Sequence, residues 1–439
     1  MKDKYFIEYK NKIVPLLLIV VIVLYGTLAK WTVINNTIVD NPIRADALDY
    51  FLYAKNLSSF STYSRERTID TTKPNKDALR SPGFPYFASL FYSGENKGSV
   101  VAVLKAQTIL QSFCFVLLSV LCWFSFGAWM SVVISLLVWT HPAFMSINTY
   151  YLTESLFQSS LILIVVTFAL AIKNFQLKWS YFLLLGVFLG FSALIRPTME
   201  YYILFLGLIL LLFFRDKIRW FFPTFVSFLL IILAWKIRNY FSLGYFSDPT
   251  LMINGLFHGS YPNFIYNNMP ESYGFPYRFD PQASEYYQGV TTTLELIWTR
   301  AIEQPLEYLS WYFAGKQFYL WQWNILAGAG DVFIYPVVSS PINYQSDLQF
   351  WHKLHHTVNA PIMLMGILYS YYVLIKNTII RQAFHIEFII ASLVVYASLF
   401  HIVVAPFPRY GIPFKVFVFI MFILLIQRVI VTLKNKVWK

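Results

Sequence analysis

Seven charged residues lie close to the ends of apolar segments and carry the chain's candidate chemistry: Asp46, Asp49, Arg80, Glu154, Arg196, Arg238 and Arg409. A carboxylate in such a place either takes a proton from a reacting hydroxyl or is a solvated loop acid. An arginine there presents a planar fork that matches phosphate oxygens, or it snorkels from a span toward water. Glu154 opens an apolar run, where a negative charge also favours a helix N-terminus by about 0.3–1 kcal/mol. Arg196 precedes Pro197, where a cation also complements a helix C-terminus. In Trp351-His352-Lys-Leu-His355-His356 three histidines fall at i, i+3 and i+4, a spacing that can hold a metal. Such residues before a span are more often interfacial side chains. There is no P-loop and no dinucleotide glycine pattern, which disfavours ATP-driven transport and a nucleotide-sugar site.

The elements that must position these groups are membrane spans. Of 439 residues, 57% are hydrophobic and 13% charged, against about a quarter charged in a soluble domain. The solvent for so much apolar surface is lipid. Aromatic residues make up 20%, which suits interfacial belts of Trp and Tyr. A net charge of +12 would raise nucleic acid as a partner of a soluble chain. Here the basic residues sit at span ends and in loops, so they read as orientation signals and nucleic acid is not expected. Cys114 and Cys122 share one apolar stretch eight residues apart, about 12 Å on a helix, too far to bridge.

Apolar runs of about 20 residues suggest about ten transmembrane helices, at 13–30, 100–121, 124–145, 153–172, 179–195, 199–214, 219–237, 357–375, 386–404 and 413–431. Lysines and arginines cluster in the short segments around Lys10, Lys173 and Lys178, Arg215, Lys376 and Arg381, and Lys434. The positive-inside bias then puts both termini in the cytoplasm. Two segments, 31–99 and 238–356, are too long to be connectors and fall outside. The expected division is an N-terminal transmembrane module over 1–237, an extracytoplasmic subdomain over 238–356 and C-terminal transmembrane helices over 357–439. Asp46, Tyr50, Ala54 and Leu57 recur with helical spacing in the first outer loop. The second is expected to hold a helix over 284–319, interrupted at Pro305, lying along the membrane surface.

The first outer loop reads Arg44-Ala-Asp46-Ala-Leu-Asp49-Tyr50, then Ala54-Lys-Asn56-Leu57, and closes with Arg80-Ser-Pro82-Gly83-Phe84-Pro85. This resembles the C-type (GT-C) glycosyltransferase superfamily, especially the protein O-mannosyltransferase-like members of glycosyltransferase family 39 and the aminoarabinose transferases of lipid A. Phe84 stands where a Tyr is usual. Tyr151-Leu-Thr-Glu154, Trp235-Lys-Ile-Arg238-Asn239-Tyr240 and Arg409-Tyr410-Gly-Ile-Pro413 are similar to later family motifs. The resemblance reaches most of the chain but not 246–356.

The resemblance implies an all-α polytopic fold and an inverting enzyme on the extracytoplasmic face of a cytoplasmic (inner) membrane. The donor is a polyprenyl-phosphate-linked sugar, and the acceptor is a lipid, glycan or protein. It implies Asp46 as the base, with Glu154 orienting the acceptor or helping to hold a divalent cation. Arg80, Arg196, Arg238 and Arg409 would bind the donor phosphate, and Asp49, Tyr50 and Tyr410 the substrate. No cofactor beyond that cation is implied. An oligosaccharide polymerase or ligase would depend on outer-loop arginines or a histidine more than on Asp46. A glycolipid transporter or flippase would survive loss of Asp46.

Overall fold

The structure is a computed structural model that describes residues 2–67, 73–95, 97–172, 179–326, 328–380 and 385–437. The basic residues Lys173, Lys178 and Arg381 lie outside the described residues. The chain begins with a long helix, α1 (Lys2–Asn36), followed by a two-residue strand, β1 (Ile38–Val39). The first of the two loops expected to lie outside, which keep the name outer loops for that expectation, then carries α2 (Asp46–Phe60) and α3 (Gly83–Ser89). Next come α4 (Lys97–Phe126), α5 (Ala128–Trp139), α6 (Pro142–Ser146), α7 (Glu154–Ile172), α8 (Trp179–Ile195), α9 (Tyr202–Phe213) and α10 (Ile218–Leu243). The second outer loop holds α11 (Thr250–Gly259), α12 (Ala283–Tyr286), α13 (Val290–Glu303), α14 (Pro305–Ser310), α15 (Lys316–Trp321), β2 (Val337–Ser339) and α16 (Pro341–Tyr344). The chain closes with α17 (Ser346–Ile379), α18 (Ile386–Val403) and α19 (Pro408–Val437).

Seven of these helices are long and apolar enough to cross a membrane: α1, α4, α7, α10, α17, α18 and α19. The expected span at 124–145 is a bent pair of helices, a broken span or a re-entrant loop. Its two parts, Ala128–Trp139 and Pro142–Thr149, meet at 57°. The cause is local. A residue before proline avoids the helical region, and His141 is extended at φ −73°, ψ 118°. Its Nδ1 accepts the Ala143 amide (3.2 Å) and so caps the new helix. The expected spans at 179–195 and 199–214 are shorter apolar helices.

The lipid-facing and core-facing surfaces separate as composition demands. Leu17, Val21, Leu24 and Leu28 stand exposed along α1, where lipid would cover them. The buried centre is built on α7, α18 and α19, whose residues pack into one continuous apolar cluster. The outer loops begin and end differently from expectation. α1 runs on to Asn36, α10 to Leu243, and α17 already starts at Ser346. The two loops are stitched together by the antiparallel pair β1–β2, with Ile38 opposite Ser339 and Val39 opposite Val337. The Asp40 amide donates to the Pro336 carbonyl (2.9 Å) just beyond.

Candidate active site at the membrane face

α2 carries two acids in its first turn, Asp46 and Asp49, where the helix dipole favours negative charge. The turn into it is strained. Ala45 has φ 46°, ψ −125°, a region that residues with a Cβ seldom adopt. That kink sets the direction in which Asp46 leaves the loop, and nothing in the sequence announced it.

Arg80 arrives from the far end of the same loop on a scaffold of tyrosines. Tyr53 and Tyr63 stack with ring centroids 4.2 Å apart. Tyr53 donates to the Asp77 carboxylate, which also accepts the Arg65 amide (2.8 Å). Tyr63 donates to the Arg80 carbonyl (2.8 Å). The Asn56 amide closes the turn by donating to the Ser64 and Glu66 carbonyls, both at 2.9 Å. Gly83 lets the loop end lie flat on the end of α8. A Cβ there would stand 2.8 Å from the Ile195 backbone nitrogen. The same close approach sets the end of the loop beside Leu194 and Ile195, just before Arg196.

Asp46 lies between two guanidinium groups. Arg80 Nη2 donates to its Oδ1 (2.8 Å) and Arg409 Nη2 to its Oδ2 (2.7 Å). Arg80 is itself aimed by Asp49, whose Oδ2 accepts from Nε (3.0 Å) and Nη2 (2.8 Å). Glu154 is buried at the start of α7. Its Oε1 accepts from Arg196 Nη2 (2.6 Å), and Arg196 Nε donates to Thr153 Oγ1 (3.0 Å). Arg196 reaches back because, before Pro197, its backbone is extended at φ −137°, ψ 119°. The Tyr410 ring lies against both clusters, 4.8 Å from the Arg196 guanidinium and 5.2 Å from that of Arg409. Tyr50 lies below Arg80 at 5.5 Å and edges against Phe84. Thus Asp46, Asp49, Tyr50, Arg80, Glu154, Arg196, Arg409 and Tyr410 form one constellation.

Arg238 stands apart from it. Its guanidinium donates to the carbonyls of Asp77 (3.0 Å) and Tyr63 (3.4 Å) and packs on Tyr63 and Trp235. It fastens the first outer loop to α10, and among the described residues no carboxylate pairs with it. The histidines also separate. His352 Nε2 meets the Asp331 carboxylate (2.7 Å), and His355 Nε2 pairs with Thr140 Oγ1 (2.9 Å). Among the described residues no three His, Cys, Asp or Glu side chains converge as metal ligands.

The electrostatics of the acid follow from its neighbours. Burial alone would raise the Asp46 carboxyl, but Arg409 and Arg80 outweigh it and hold the group well below the usual carboxylate range. Burial pushes the Tyr50 phenol up to about 12. One carboxylate oxygen, Glu154 Oε2, is buried with no hydrogen-bond partner. Lys316 ties α15 to the end of α18, a contact that the sequence did not reveal. Its Nζ donates to the Ile402 carbonyl (2.7 Å) at the end of α18, the terminus a cation complements. Burial lowers its amine well below the usual value.

No protein-family model matches the chain, and no curated protein matches it in sequence. Solved structures do match. The oligosaccharyltransferase AglB of the archaeon Archaeoglobus fulgidus, in complex with an inhibitory peptide and a dolichol-phosphate, superposes with a TM-score of 0.52 at 14% identity. The match covers 97% of this chain and 52% of that one. The oligosaccharyltransferase of the same organism tethered with an acceptor peptide containing the NVT sequon gives a TM-score of 0.51 at 17% identity, covering 95% and 50%. The chain shares the fold of the matched part of these oligosaccharyltransferase structures. It spans about half the length of the oligosaccharyltransferase structures it matches.

Proposed function

We propose that the protein is an inverting glycosyltransferase that moves a sugar from a polyprenyl-phosphate-linked donor to an acceptor hydroxyl at the extracytoplasmic face of a cytoplasmic membrane. The observation that carries the reading is Asp46 bridged between Arg80 and Arg409, with the Arg196–Glu154 pair across Tyr410. The fold likeness to an oligosaccharyltransferase solved in complex with a dolichol-phosphate supports a lipid-linked donor. Both termini would lie in the cytoplasm, and residues 1–237, 238–356 and 357–439 would act as transmembrane module, outer subdomain and closing helices.

In this scheme the acceptor oxygen attacks the anomeric carbon and the carbon–oxygen bond to the phosphate breaks. The lipid phosphate departs with the bonding pair, and the acceptor proton passes to the Asp46 carboxylate. Arg80, Arg196 and Arg409 steady the charge that grows on the phosphate, as preformed cations do in a site of low dielectric. A carboxylate held by two guanidinium groups is a weak base. A donor phosphate that draws those groups to itself restores its basicity, so donor binding arms the base. Arg238 acts here by holding the loop. Asp49 acts by aiming Arg80, and Tyr50 and Tyr410 shape the floor under the sugar. No step is routed through a metal ion, because both Asp46 oxygens face arginine and no cluster of three ligands converges among the described residues.

The test is incubation of purified protein with a labelled polyprenyl-phosphate sugar and measurement of released lipid phosphate. Asp46→Asn is expected to lower release by about 10²–10⁴-fold while membrane expression stays near wild type. Near-normal turnover in that variant sinks the assignment. A polymerase or ligase would instead tolerate Asp46→Asn and fail without the arginines. A flippase would move lipid-linked glycan with no lipid phosphate released.

A further inference from the structure

The second outer loop holds a groove that the reaction above leaves without an occupant. It encloses about 440 Å³ between α13–α14 and the turn at residues 261–268. One wall is Asn263, Asn267 and Asn268, each with left-handed backbone at φ 52°, 45° and 57°. Asparagine adopts that conformation more readily than most residues. Among the described residues their side-chain amides have no partner within the chain. The facing wall is the polar side of α13 and α14, with Glu303, Gln304 and Glu307. Arg300 lies between the walls and is already spoken for. Its Nη2 donates to the buried Asp280 carboxylate and to Gln282 Oε1, both at 2.8 Å.

The opposite side of α13 is apolar and exposed, with Leu294, Trp298 and Ile302 one turn apart, and α14 continues it with Leu306 and Leu309. A helix so divided lies in a membrane interface with its polar side to the water. The level is set by α15, where Gln317 Nε2 donates to the Ser398 carbonyl (2.8 Å) inside α18. The groove therefore opens on the side of α13 and α14 away from their apolar face. A chain of rings joins it to the candidate active site. Phe264, beside Asn263, stacks on Phe407 with centroids 4.9 Å apart, and Phe407 edges onto Tyr410 at 5.5 Å. Tyr410 is the ring that touches Arg196 and Arg409.

We propose that this groove binds a carbohydrate, the glycan portion of the acceptor that lies next to the attacked hydroxyl. The chemistry of the walls selects it. Free amides and carboxylates on facing walls offer both donors and acceptors to neighbouring hydroxyls, while Tyr261, Tyr266 and Tyr308 supply aromatic surface. Anions are disfavoured, since the cation of Arg300 is matched by Asp280 and two carboxylates stand free above it. A peptide is the lesser fit, because peptide recognition draws on an exposed sheet edge, an apolar groove or an arginine cluster, and none of these lines the cavity.

The identity of the ligand as acceptor rests on the proposed transferase reaction, whereas the binding does not, so the two are tested apart. Full-length protein in lipid nanodiscs is titrated with fluorescently labelled tri- to hexasaccharides of glucose, galactose and N-acetylglucosamine, with a neutral hexapeptide as the competing class, and anisotropy is read. At least one glycan series is expected to bind. The double substitution Asn267→Ala, Glu303→Ala, both at exposed positions, is expected to weaken binding by about tenfold or more, the loss of two or so hydrogen bonds. Asp46→Asn is expected to bind as wild type does. The proposal is overturned if no glycan binds, if binding survives the double substitution, or if only the peptide binds in a groove-dependent manner. Glycan binding by a protein whose Asp46→Asn form still turns over donor would remove the reaction scheme and leave the groove standing.

Discussion

At the scale of single residues, the site is a contest between burial and paired charge, and Asp46 shows which wins. Its carboxyl is depressed in the folded protein by Arg409 and Arg80 against the opposing pull of burial, so its ionised form persists below the usual carboxylate value of about 3.9. The ion pairs therefore contribute stability that is fully present above that value and fades as pH falls beneath it. The rate should follow the same logic. The acid limb of kcat/KM for lipid phosphate release is expected to lie low in the wild type. Arg409→Ala, which removes one of the two depressing charges, should move that limb to higher pH and lower the rate at neutral pH by about 10²–10³-fold. An unmoved limb would mean that Asp46 is not the titrating base. Gly83 offers a purely steric check. Gly83→Ala forces a Cβ to 2.8 Å from backbone at Ile195 and should cost about 1–3 kcal/mol, read as a lowered unfolding temperature. Asp46, Arg80 and Arg409 were legible as candidates from their types and their places near span ends. Their mutual pairing was not, since residues 46 and 409 meet only in three dimensions.

Among the elements, what could be read in advance was whatever repeats. The spacing of Asp46, Tyr50, Ala54 and Leu57 foretold α2, and Pro305 marked the boundary between α13 and α14. A two-residue strand has no period to detect, so β1–β2 went unseen although it holds the two outer loops to each other. Nor did the left-handed Ala45 carry a glycine or asparagine to flag it. Arg238 shows the converse error. Its type and position suited phosphate, yet both of its terminal nitrogens bond loop carbonyls. The strand pair can be probed directly. Asp40→Pro removes the amide that donates to Pro336 and should raise hydrogen exchange in both outer loops together, whereas exchange confined to residues near 40 would show that the loops are held by other contacts. α11 gives a pH-dependent counterpart. Burial pushes the His258 imidazole down to about 4, between the rings of Tyr277 and Phe407. The unfolded histidine, near 6.5, binds more protons between those values. Stability of the second loop is thus present above about 6.5 and is lost as pH falls toward 4. His258→Phe should flatten that dependence in protease-resistance measurements across the range.

For the molecule as a whole, the acids and guanidinium groups collect at one end of the helix bundle, contributed by the starts of α7 and α19, the exit of α8 and the first outer loop. Which side of the membrane this end faces is measurable, and both native cysteines are buried, so the background is quiet. Arg65→Cys should react with a membrane-impermeant maleimide on intact cells, and Arg215→Cys only after permeabilisation; the reverse pattern would invert the topology. The partnership of Asp46 with Arg409 has a consequence for biosynthesis. The acid is threaded early and its second cation arrives some 363 residues later. During translation the nascent chain therefore displays Asp46 with Arg80 alone, and the pair with Arg409 forms only once α19 has been made. A polypeptide stalled before that helix lacks Arg409, so the order of synthesis sets when the full cluster can assemble.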